Sequence, residues 1–286
     1  MQYIINMVGI YIEVDVPYLL HSSDSTSDFI LPAHDNIKAD IRLDIHPVEK
    51  LPVIQDVRFT DSKRIYIGEG ETAGIFFRNY PDSLPYAFAS RRSVHDGVIS
   101  LEYLEGKEQF MDYTRNMITL MDIEATLLDF EALILHASLI NYVGQGIIFS
   151  APSGIGKSTQ AELWRQNENA DILNGDRAAL RKMNGIWQAF GLPYAGTSGI
   201  YKNESVPLKA IVALRQAQEN RIKQIHGAEA FRYIYPETLI HRWDPGFEKK
   251  ATDLLLTVFS DIPVFLLECR PEQEAVKLLK DRLAEL

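Results

Sequence analysis

One segment near the middle of the chain combines residue types and a spacing that are suited to chemistry. Residues 146–150 form a short apolar run, residues 151–156 form a loop with two glycines, and an amphipathic helix follows. This order is typical of a phosphate-binding loop, in which backbone N–H groups converge on an anion. The residues predicted to bind a nucleotide are Ser153, Gly154, Ile155, Gly156, Lys157, Ser158 and Thr159.

Two side chains of this loop have separate predicted roles. Lys157 can reach the terminal phosphates of a nucleotide, and the Ser158 hydroxyl can ligate Mg²⁺. The usual pattern is G-x-x-x-x-G-K-[ST], and Ala151 stands where its first glycine belongs. A strand, turn and helix that bind nothing are the alternative. The apolar strand before the loop and the helix after it favour a nucleotide site.

An acidic residue and a histidine lie near strand ends on either side of this loop. Residues 170–176 are typical of a strand, and Asp176 ends it. In a P-loop fold such an aspartate lies beside Mg²⁺ and the terminal phosphate. His136 begins one strand of a predicted hairpin over 135–150, whose second strand leads into the loop. Most histidines at strand ends are structural, so the residue type alone does not predict a catalytic role for His136.

Composition excludes several classes of function. The chain has 286 residues and a formal charge of −10, which argues against general nucleic-acid binding because that needs a basic surface. Its single cysteine, Cys269, permits no internal disulfide, as is usual in a reducing cytoplasm. We find neither a signal peptide nor an apolar run near the roughly 18 residues of a membrane span. The sequence predicts a soluble, cytoplasmic protein without nucleic-acid or membrane partners.

Hydrophobic periodicity divides the chain into three parts. Residues 1–105 are predicted to form a β-rich domain, with turn-rich segments at 22–28 and 79–85. The predicted strands of this domain cover 3–16, 39–45, 53–59, 64–67, 72–77 and 97–104. Residues 106–133 are predicted to connect the domains as one long helix or two with a bend, and the helical pattern runs from about 108 to 135. Residues 134–286 are predicted to form the nucleotide-binding domain.

The nucleotide-binding domain is predicted to mix strands and helices. Residues 178–183 and 186–190 form a hairpin around Asn184 and Gly185, a pair that strongly favours a tight turn. The glycine-rich segment 191–204 is either a surface connection or a loop that binds substrate or nucleotide. Further predicted strands cover 208–214 and 264–268, and predicted helices cover 228–233, 247–259 and 272–286.

The loop, the histidine before it and the aspartate after it together resemble the HPr kinase/phosphorylase family over roughly residues 130–286. Ser153 to Ser158 is similar to the family's S-G-x-G-K-S, and His136 looks like its active-site histidine, 21 residues before Lys157. The segment ending in Asp176 looks like the G-D-D segment that supplies the catalytic aspartate. The resemblance implies an α/β fold, α+β overall, in which a β-rich N-terminal domain precedes an HPr-kinase-like P-loop domain with a mixed sheet.

This chain departs from the family pattern at three points. Arg177 stands where the family has a second aspartate, which inverts the local charge and leaves the reverse, phosphorylase reaction open. Arg177 is therefore a candidate for stabilising transition-state charge or for binding an acidic group. The family's further acidic metal ligand has no clear match, and Glu204 is a candidate by its chemistry only. Residues 1–105 do not resemble the family's N-terminal domain.

The resemblance implies an ATP- and Mg²⁺-dependent kinase that transfers the γ-phosphate to a Ser or other hydroxyl of a protein or peptide. Similar kinases tailor peptide natural products, including lasso peptides, and family members are often homo-oligomers. The implied catalytic residues are His136, Lys157, Asp176 and Arg177, and the implied metal ligands are Ser158, Asp176 and Glu204. Two alternatives remain open: a kinase of a small metabolite, and a nucleotide-binding regulatory module that transfers no phosphate.

Overall fold

The structure, a computed structural model, describes residues 1–21, 26–31, 37–69, 73–78, 84–93, 97–194 and 196–286. The chain divides into two compact units, Met1–Thr126 and Leu127–Leu286. This division falls inside the segment 106–133 that the sequence predicts as a connection. Parts of the predicted turn-rich segments, 22–25 and 79–83, and the first residue of the predicted strand 72–77 lie outside the described residues.

The first unit is built on one mixed sheet, as its strand-rich sequence predicts. Its described strands are β1 (Gln2–Met7), β2 (Ile10–Asp15), β3 (Ile30–Leu31), β4 (Ile41–Val48), β5 (Val57–Thr60), β6 (Arg64–Ile67), β7 (Gly74–Arg78), β8 (Pro85–Ser93) and β9 (Val98–Leu104). They lie in the order β3-β1-β2-β4-β9-β8-β7-β6-β5. Strand β4 is parallel to both β2 and β9, and the other neighbours are antiparallel.

The predicted strand at 3–16 is a hairpin rather than one strand. Val8 and Gly9 have φ angles of 58° and 66° and turn the chain between β1 and β2. Positive φ at both central residues defines the turn that suits a two-residue hairpin loop. Because valine rarely adopts such a conformation, the sequence contains no usual turn signal at this position.

The predicted helical segment 108–135 is only partly helical. Helices α1 (Thr114–Leu120) and α2 (Ile123–Asp129) are separated by Asp122, whose φ is 48°. Glu131, with φ of 56°, follows α2, and a strand begins at the next residue. Helical periodicity cannot be distinguished from a continuously buried strand over so short an apolar run, which explains why the prediction fails at 132–135.

The second unit combines a second mixed sheet with four helices among its described residues. The strands are β10 (Ala132–Tyr142), β11 (Gln145–Ser150), β12 (Asp171–Asn174), β13 (Arg177–Met183), β14 (Ile186–Gly191), β15 (Ser205–Gln216), β16 (Arg221–Ile225) and β17 (Val264–Cys269). The helices are α3 (Lys157–Glu168), α4 (Gly227–Ile234), α5 (Pro245–Asp261) and α6 (Gln273–Ala284). The predicted hairpins, helices and strands of this half are confirmed, with two differences at strand ends. Strand β10 begins at Ala132, so His136 lies within the strand and not at its start, and β12 ends at Asn174, two residues before Asp176. The exposed strand β16 was not predicted.

The topology of this sheet brings several chain segments to one edge. The strand order is β11-β10-β13-β14-β15-β17-β16, with β12 paired to β10 and β11 also paired to β15. Strands β11, β15 and β17 are parallel, so their carboxyl ends meet on the same side. Strand β10 pairs with β13 up to His136 and with β11 from Ala137 onward. His136 therefore lies where β10 changes partner.

Helix α3 is anchored by its buried face. Trp164 is fully buried, and its ring lies 5.0 Å from that of Tyr142 and 6.4 Å from that of Phe149. Ala161, one turn earlier, is buried in the same core. Burying a large aromatic side chain contributes on the order of 2–3 kcal/mol, so this contact holds the helix against the sheet. Within the part of the chain that is described, no helix is both long and apolar enough to span a membrane.

Candidate active site

The loop between β11 and α3 has the backbone that an anion site requires. Gly154 and Gly156 have φ angles of 82° and 122°, which favour residues without a Cβ. Gly156 is also the N-cap of α3, and no side chain caps the first helical N–H groups. Unpaired N–H groups and the positive end of the helix dipole therefore remain available to a phosphate.

Lys157 is buried and folded back onto the loop. Its Nζ donates hydrogen bonds to the carbonyl oxygens of Ala151 at 2.8 Å and Pro152 at 3.4 Å. Burial lowers the pKa of the Lys157 ammonium below its usual value, and the carboxylates of Glu237 and Asp176 oppose that shift. The ammonium thus lies between loop carbonyls and two acidic side chains, where a phosphate can take over its hydrogen bonds.

The other polar side chains of the loop face solvent. Ser153, Ser158 and Thr159 are exposed. The hydroxyl of Ser158 donates to the carbonyl oxygen of Gly175 at 3.4 Å, which places it beside the end of β12. The serine predicted to ligate a metal is therefore next to the segment that carries Asp176.

Asp176 is held by a turn that Asn174 organises. The buried Asn174 accepts hydrogen bonds through Oδ1 from the backbone N–H groups of Asp176 at 2.8 Å and Arg177 at 2.9 Å. Its Nδ2 donates to the carbonyl oxygen of Leu192 at 2.7 Å. The Asp176 carbonyl in turn accepts from the N–H of Ala137 at 2.9 Å. The carboxylate is therefore fixed by backbone bonds rather than carried on a free loop end.

The glycine-rich segment 191–204 packs directly against this turn. A Cβ on Gly196, whose φ is +54°, would come within 2.7 Å of the Cβ and Cγ atoms of Asp176. A Cβ on Gly175 would come within 2.0 Å of the Ser198 Oγ. Gly175 also donates its N–H to the carbonyl oxygen of Ile200 at 3.2 Å. These contacts favour a loop that binds substrate or nucleotide over a free surface connection, because the segment packs against Asp176.

His136 lies between two carboxylates. Its Nδ1 is 3.0 Å from Oε2 of Glu237, and its Nε2 is 3.8 Å from Oδ1 of Asp176. A carboxylate accepts hydrogen bonds only, so Nδ1 carries a proton that it donates to Glu237. This bond fixes the ring orientation and turns Nε2 toward Asp176.

Glu237 is the site residue that sequence reasoning missed. It ends a short 3₁₀ helix, Tyr235–Glu237, that follows α4, and its side chain is only 10% exposed. The next residues attach to β10, since Leu239 donates its N–H to the carbonyl oxygen of Ile134 at 2.9 Å. No local spacing links Glu237 to His136, 101 residues earlier. Only the tertiary pairing to β10 identifies it.

Arg177 and Glu204 differ in their relation to this cluster. The Nε of Arg177 is 3.6 Å from Oδ2 of Asp176, and its guanidinium lies 4.9 Å from the ring centre of Tyr194. The Glu204 side chain is exposed and makes no hydrogen bond or ion pair with any described residue, while its carbonyl accepts from Gly191 at 3.0 Å. The structure brings together His136, Lys157, Ser158, Asp176 and Arg177 but leaves Glu204 outside.

Comparisons with known proteins add a family and one solved structure. A family model described as SynChlorMet cassette protein ScmC matches residues 102–235, just under half of the chain. The matched segment contains His136, the loop and Asp176 and ends before Glu237. No curated protein matches the chain.

A solved structure of the HPr(Ser) kinase/phosphatase from Coxiella burnetii is similar at 9% sequence identity and a TM-score of 0.32. The similarity covers 53% of this chain and 97% of that one. A TM-score at this level supports no conclusion about activity.

Proposed function

We propose that this protein is an ATP- and Mg²⁺-dependent kinase that transfers the γ-phosphate to a Ser or other hydroxyl of a protein or peptide. The observation that carries the proposal is the convergence of the phosphate-binding loop with a histidine and two carboxylates. The Lys157 ammonium lies in the field of Asp176 and Glu237, both of which contact His136. Phosphoryl transfer requires mainly positioning and neutralisation of charge, and these residues supply both.

The loop fits the phosphates of a nucleotide. Two positive-φ glycines and an uncapped helix start leave N–H groups free for phosphate oxygens. Lys157 exchanges its bonds to the loop carbonyls for bonds to the terminal phosphates. Ser158 and Asp176 would hold Mg²⁺, because a hydroxyl and a carboxylate are the hard oxygen ligands that this ion prefers. When bound, Mg²⁺ neutralises charge on the β- and γ-phosphates.

Asp176 and His136 act on the acceptor. As the acceptor oxygen bonds to the γ-phosphorus and the bond from that phosphorus to the β,γ-bridging oxygen breaks, the hydroxyl proton passes to the Asp176 carboxylate and ADP leaves. Glu237 holds His136 so that Nε2 lies beside Asp176, and this orientation supports a positioning role toward the phosphoryl group. Arg177, 3.6 Å from Asp176, adds positive charge beside the developing negative charge.

A peptide acceptor is supported by the resemblance to peptide-tailoring kinases. In this proposal the β-rich first unit recognises the peptide, and the reaction takes place in the cytoplasm, where a chain with one cysteine needs no oxidising environment. Assembly as a homo-oligomer belongs to the same proposal. Transfer to a small metabolite is the alternative within kinases, and acceptor specificity separates the two.

The direct experiment incubates the full chain with γ-labelled ATP, Mg²⁺ and short peptides encoded beside its gene, and locates added phosphate by mass spectrometry. We expect phosphoserine on one peptide and none with Lys157→Ala or Asp176→Asn. Label on a metabolite but on no peptide would replace the proposed acceptor. Tight ATP binding without transfer to any acceptor would contradict the kinase.

One observation favours a second candidate, a nucleotide-binding regulatory module. The Arg177 guanidinium lies 3.6 Å from the carboxylate that would accept the proton, at the position where the related family has a second acid. Arg177→Asp separates the candidates. A kinase should keep or increase its phosphoryl transfer in Arg177→Asp, which restores the second acid of the related family. A regulatory module should transfer no phosphate with either residue at this position.

A further inference from the structure

One peptide group connects the two side chains that are proposed to hold Mg²⁺. Its carbonyl oxygen, that of Gly175, accepts a hydrogen bond from the Ser158 hydroxyl at 3.4 Å. Its N–H belongs to Asp176 and donates to Oδ1 of Asn174 at 2.8 Å. Because a peptide group is planar, its carbonyl and its N–H turn together. The orientation of this one group therefore affects both Ser158 and Asp176.

A second hydroxyl holds the same carbonyl oxygen. Ser138 donates through Oγ to the Gly175 carbonyl at 3.0 Å, a shorter bond than the one from Ser158. Both Ser138 and Gly175 are buried, whereas Ser158 is exposed. A carbonyl oxygen has two lone pairs and can accept both bonds at once. The carbonyl is thus held from inside the protein by Ser138 and meets Ser158 on its open side.

Strand β10 places Ser138 beside the other groups that contact this turn. Ser138 and His136 are two residues apart on β10, so their side chains project from the same face of the sheet. The Nε2 of His136 lies 3.8 Å from Oδ1 of Asp176, and Ala137 donates its N–H to the Asp176 carbonyl oxygen at 2.9 Å. Three consecutive residues of β10 therefore contact the turn, and Ser138 is the one that bonds to the Gly175 carbonyl.

This arrangement decides which atoms of Ser158 can face an ion. A serine hydroxyl has one proton to donate and two lone pairs. When the proton points at the Gly175 carbonyl, both lone pairs of Ser158 remain for a metal. The direction of the proton follows the position of the carbonyl oxygen, and the bond from Ser138 fixes that position. Loss of Ser138 would remove the shorter of the two side-chain bonds to this oxygen and let the peptide group tilt.

We propose that Ser138 is a positioning residue for the metal site and acts through the Gly175 carbonyl on Ser158 and Asp176. The proposal rests on the Mg²⁺-dependent kinase function proposed above. Ser138 itself contacts neither the nucleotide nor the ion. Residues that hydrogen-bond the groups around a metal contribute about 10–100-fold to its affinity. Because Ser138 offers one neutral hydroxyl, we expect the lower end of that range, about tenfold.

The test measures the dissociation constant of the full chain for ATP, once with excess Mg²⁺ and once with a chelator in its place. The ratio of the two constants is the affinity that the ion contributes. In Ser138→Ala this ratio should fall about tenfold. The constant without Mg²⁺ should stay within about twofold, because the loop N–H groups and Lys157 are unchanged. The control, Thr126→Val, removes another buried hydroxyl, which donates to the Met121 carbonyl at 2.6 Å, and should change neither constant.

A double substitution separates positioning of the metal ligands from a general structural role. Ser158→Ala removes one of the two ligands that the Gly175 peptide group orients. In this background Ser138→Ala should lower the remaining Mg²⁺ contribution by less than about threefold, because coupled residues have non-additive effects. A merely structural role of Ser138 would cost the same factor in both backgrounds.

The outcomes separate this inference from the proposed function. An unchanged Mg²⁺ contribution in Ser138→Ala, equal losses with and without Mg²⁺, or the same loss in both backgrounds would overturn the role of Ser138 and leave the kinase proposal intact. If Mg²⁺ does not tighten ATP binding in the unsubstituted protein, the assignment of Ser158 and Asp176 as metal ligands fails, and the role of Ser138 fails with it. If ATP does not bind under either condition, the proposed function itself fails.

Discussion

The two flanks of the phosphate-binding loop differ in how their polar groups are satisfied. On one flank each charged side chain already has a partner: Lys157 bonds to the Ala151 carbonyl, and His136 lies between Glu237 and Asp176. On the other flank a neutral amide, Gln216, donates exposed hydrogen bonds to the carbonyl oxygens of Gly154 and Ile155. The charged side chains of the first flank must therefore exchange partners when phosphate binds, whereas the amide of the second holds the loop in place.

This difference should separate effects on ligand affinity from effects on the rate of phosphoryl transfer. Substitutions on the charged flank should change transfer and phosphate binding, and adenosine affinity should stay constant. Substitutions on the second flank should weaken phosphate binding modestly and leave the rate of transfer from bound ATP unchanged. Equal losses of transfer and of binding from either flank would show that the loop responds as one unit.

Lys157→Met should have the largest effect. Removing one preorganised cationic donor from a transferring phosphoryl group costs about 10²–10³-fold in turnover, and we expect the upper end because the ammonium is buried. Adenosine affinity should not change. The control is Lys182→Met, in which an exposed ammonium 2.8 Å from Asp261 is lost. Turnover within tenfold of the unsubstituted protein would show that Lys157 does not contact the transferred group.

Gly196→Ala should lower turnover about 10²-fold with little change in ATP affinity. The new Cβ would lie within 2.7 Å of Asp176, and a displacement of about 1 Å at a reacting group has that effect. Gly199→Ala is a matched control, because Gly199 also has positive φ, +66°, but no atom lies within 4 Å of its Cβ position. Both variants should lose about 1 kcal/mol of stability. Equal turnover in the two would contradict a catalytic role for the position of Asp176.

Glu237→Gln should change the pH dependence of ATP binding. Binding needs the Lys157 ammonium, whose pKa is already lowered by burial while Glu237 and Asp176 oppose that shift. Affinity should therefore fall as the pH rises through this lowered pKa. Without the Glu237 charge the pKa falls further, so the loss should begin at a lower pH.

Titration of the dissociation constant between about pH 7 and pH 10 checks this expectation. The control is Glu229→Gln, which removes an exposed carboxylate paired with Lys223 at 2.7 Å. Superimposable profiles for all three proteins would show that Glu237 does not act on Lys157.

Gln216→Leu should have the smallest effect, about a threefold loss of ATP affinity. Its two hydrogen bonds to the loop carbonyls are exposed, and such bonds contribute about 0.5–1 kcal/mol. The bonds fix the loop that both flanks share, so tripolyphosphate affinity should fall by the same factor. A loss of ATP affinity without a loss of tripolyphosphate affinity would contradict this role of Gln216 in holding the loop. Gln224→Leu, an exposed amide on β16, serves as the control.

The sequence predicts the elements that local chemistry determines. The loop, the hairpin around Asn184 and Gly185 and the helices of the second unit follow from glycine positions, turn residues and periodicity. The predictions fail where backbone conformation is set by tertiary packing. Val8 and Asp122 adopt positive φ, although neither residue by itself predicts the end of a strand or helix. The apolar run from Ala132 fits the periodicity of a helix as well as that of a buried strand.

The candidate site is predictable only in part for the same reason. Lys157 and Ser158 belong to one contiguous motif, and the sequence identifies both. Glu237 meets His136 only because the chain after α4 attaches to β10, a contact that no spacing encodes. Glu204 was selected by residue type alone, and the described contacts leave it outside the cluster.

Single-turnover transfer and ATP affinity, measured together in Asp176→Asn, test whether Asp176 acts in the chemical step. Transfer to the acceptor should fall by at least about 10²-fold. The dissociation constant for ATP without Mg²⁺, measured in the same preparation, should stay within about threefold, because the loop N–H groups and Lys157 are unchanged. Transfer at an unchanged rate, or loss of binding and transfer by the same factor, would contradict the assignment of Asp176 to the chemical step.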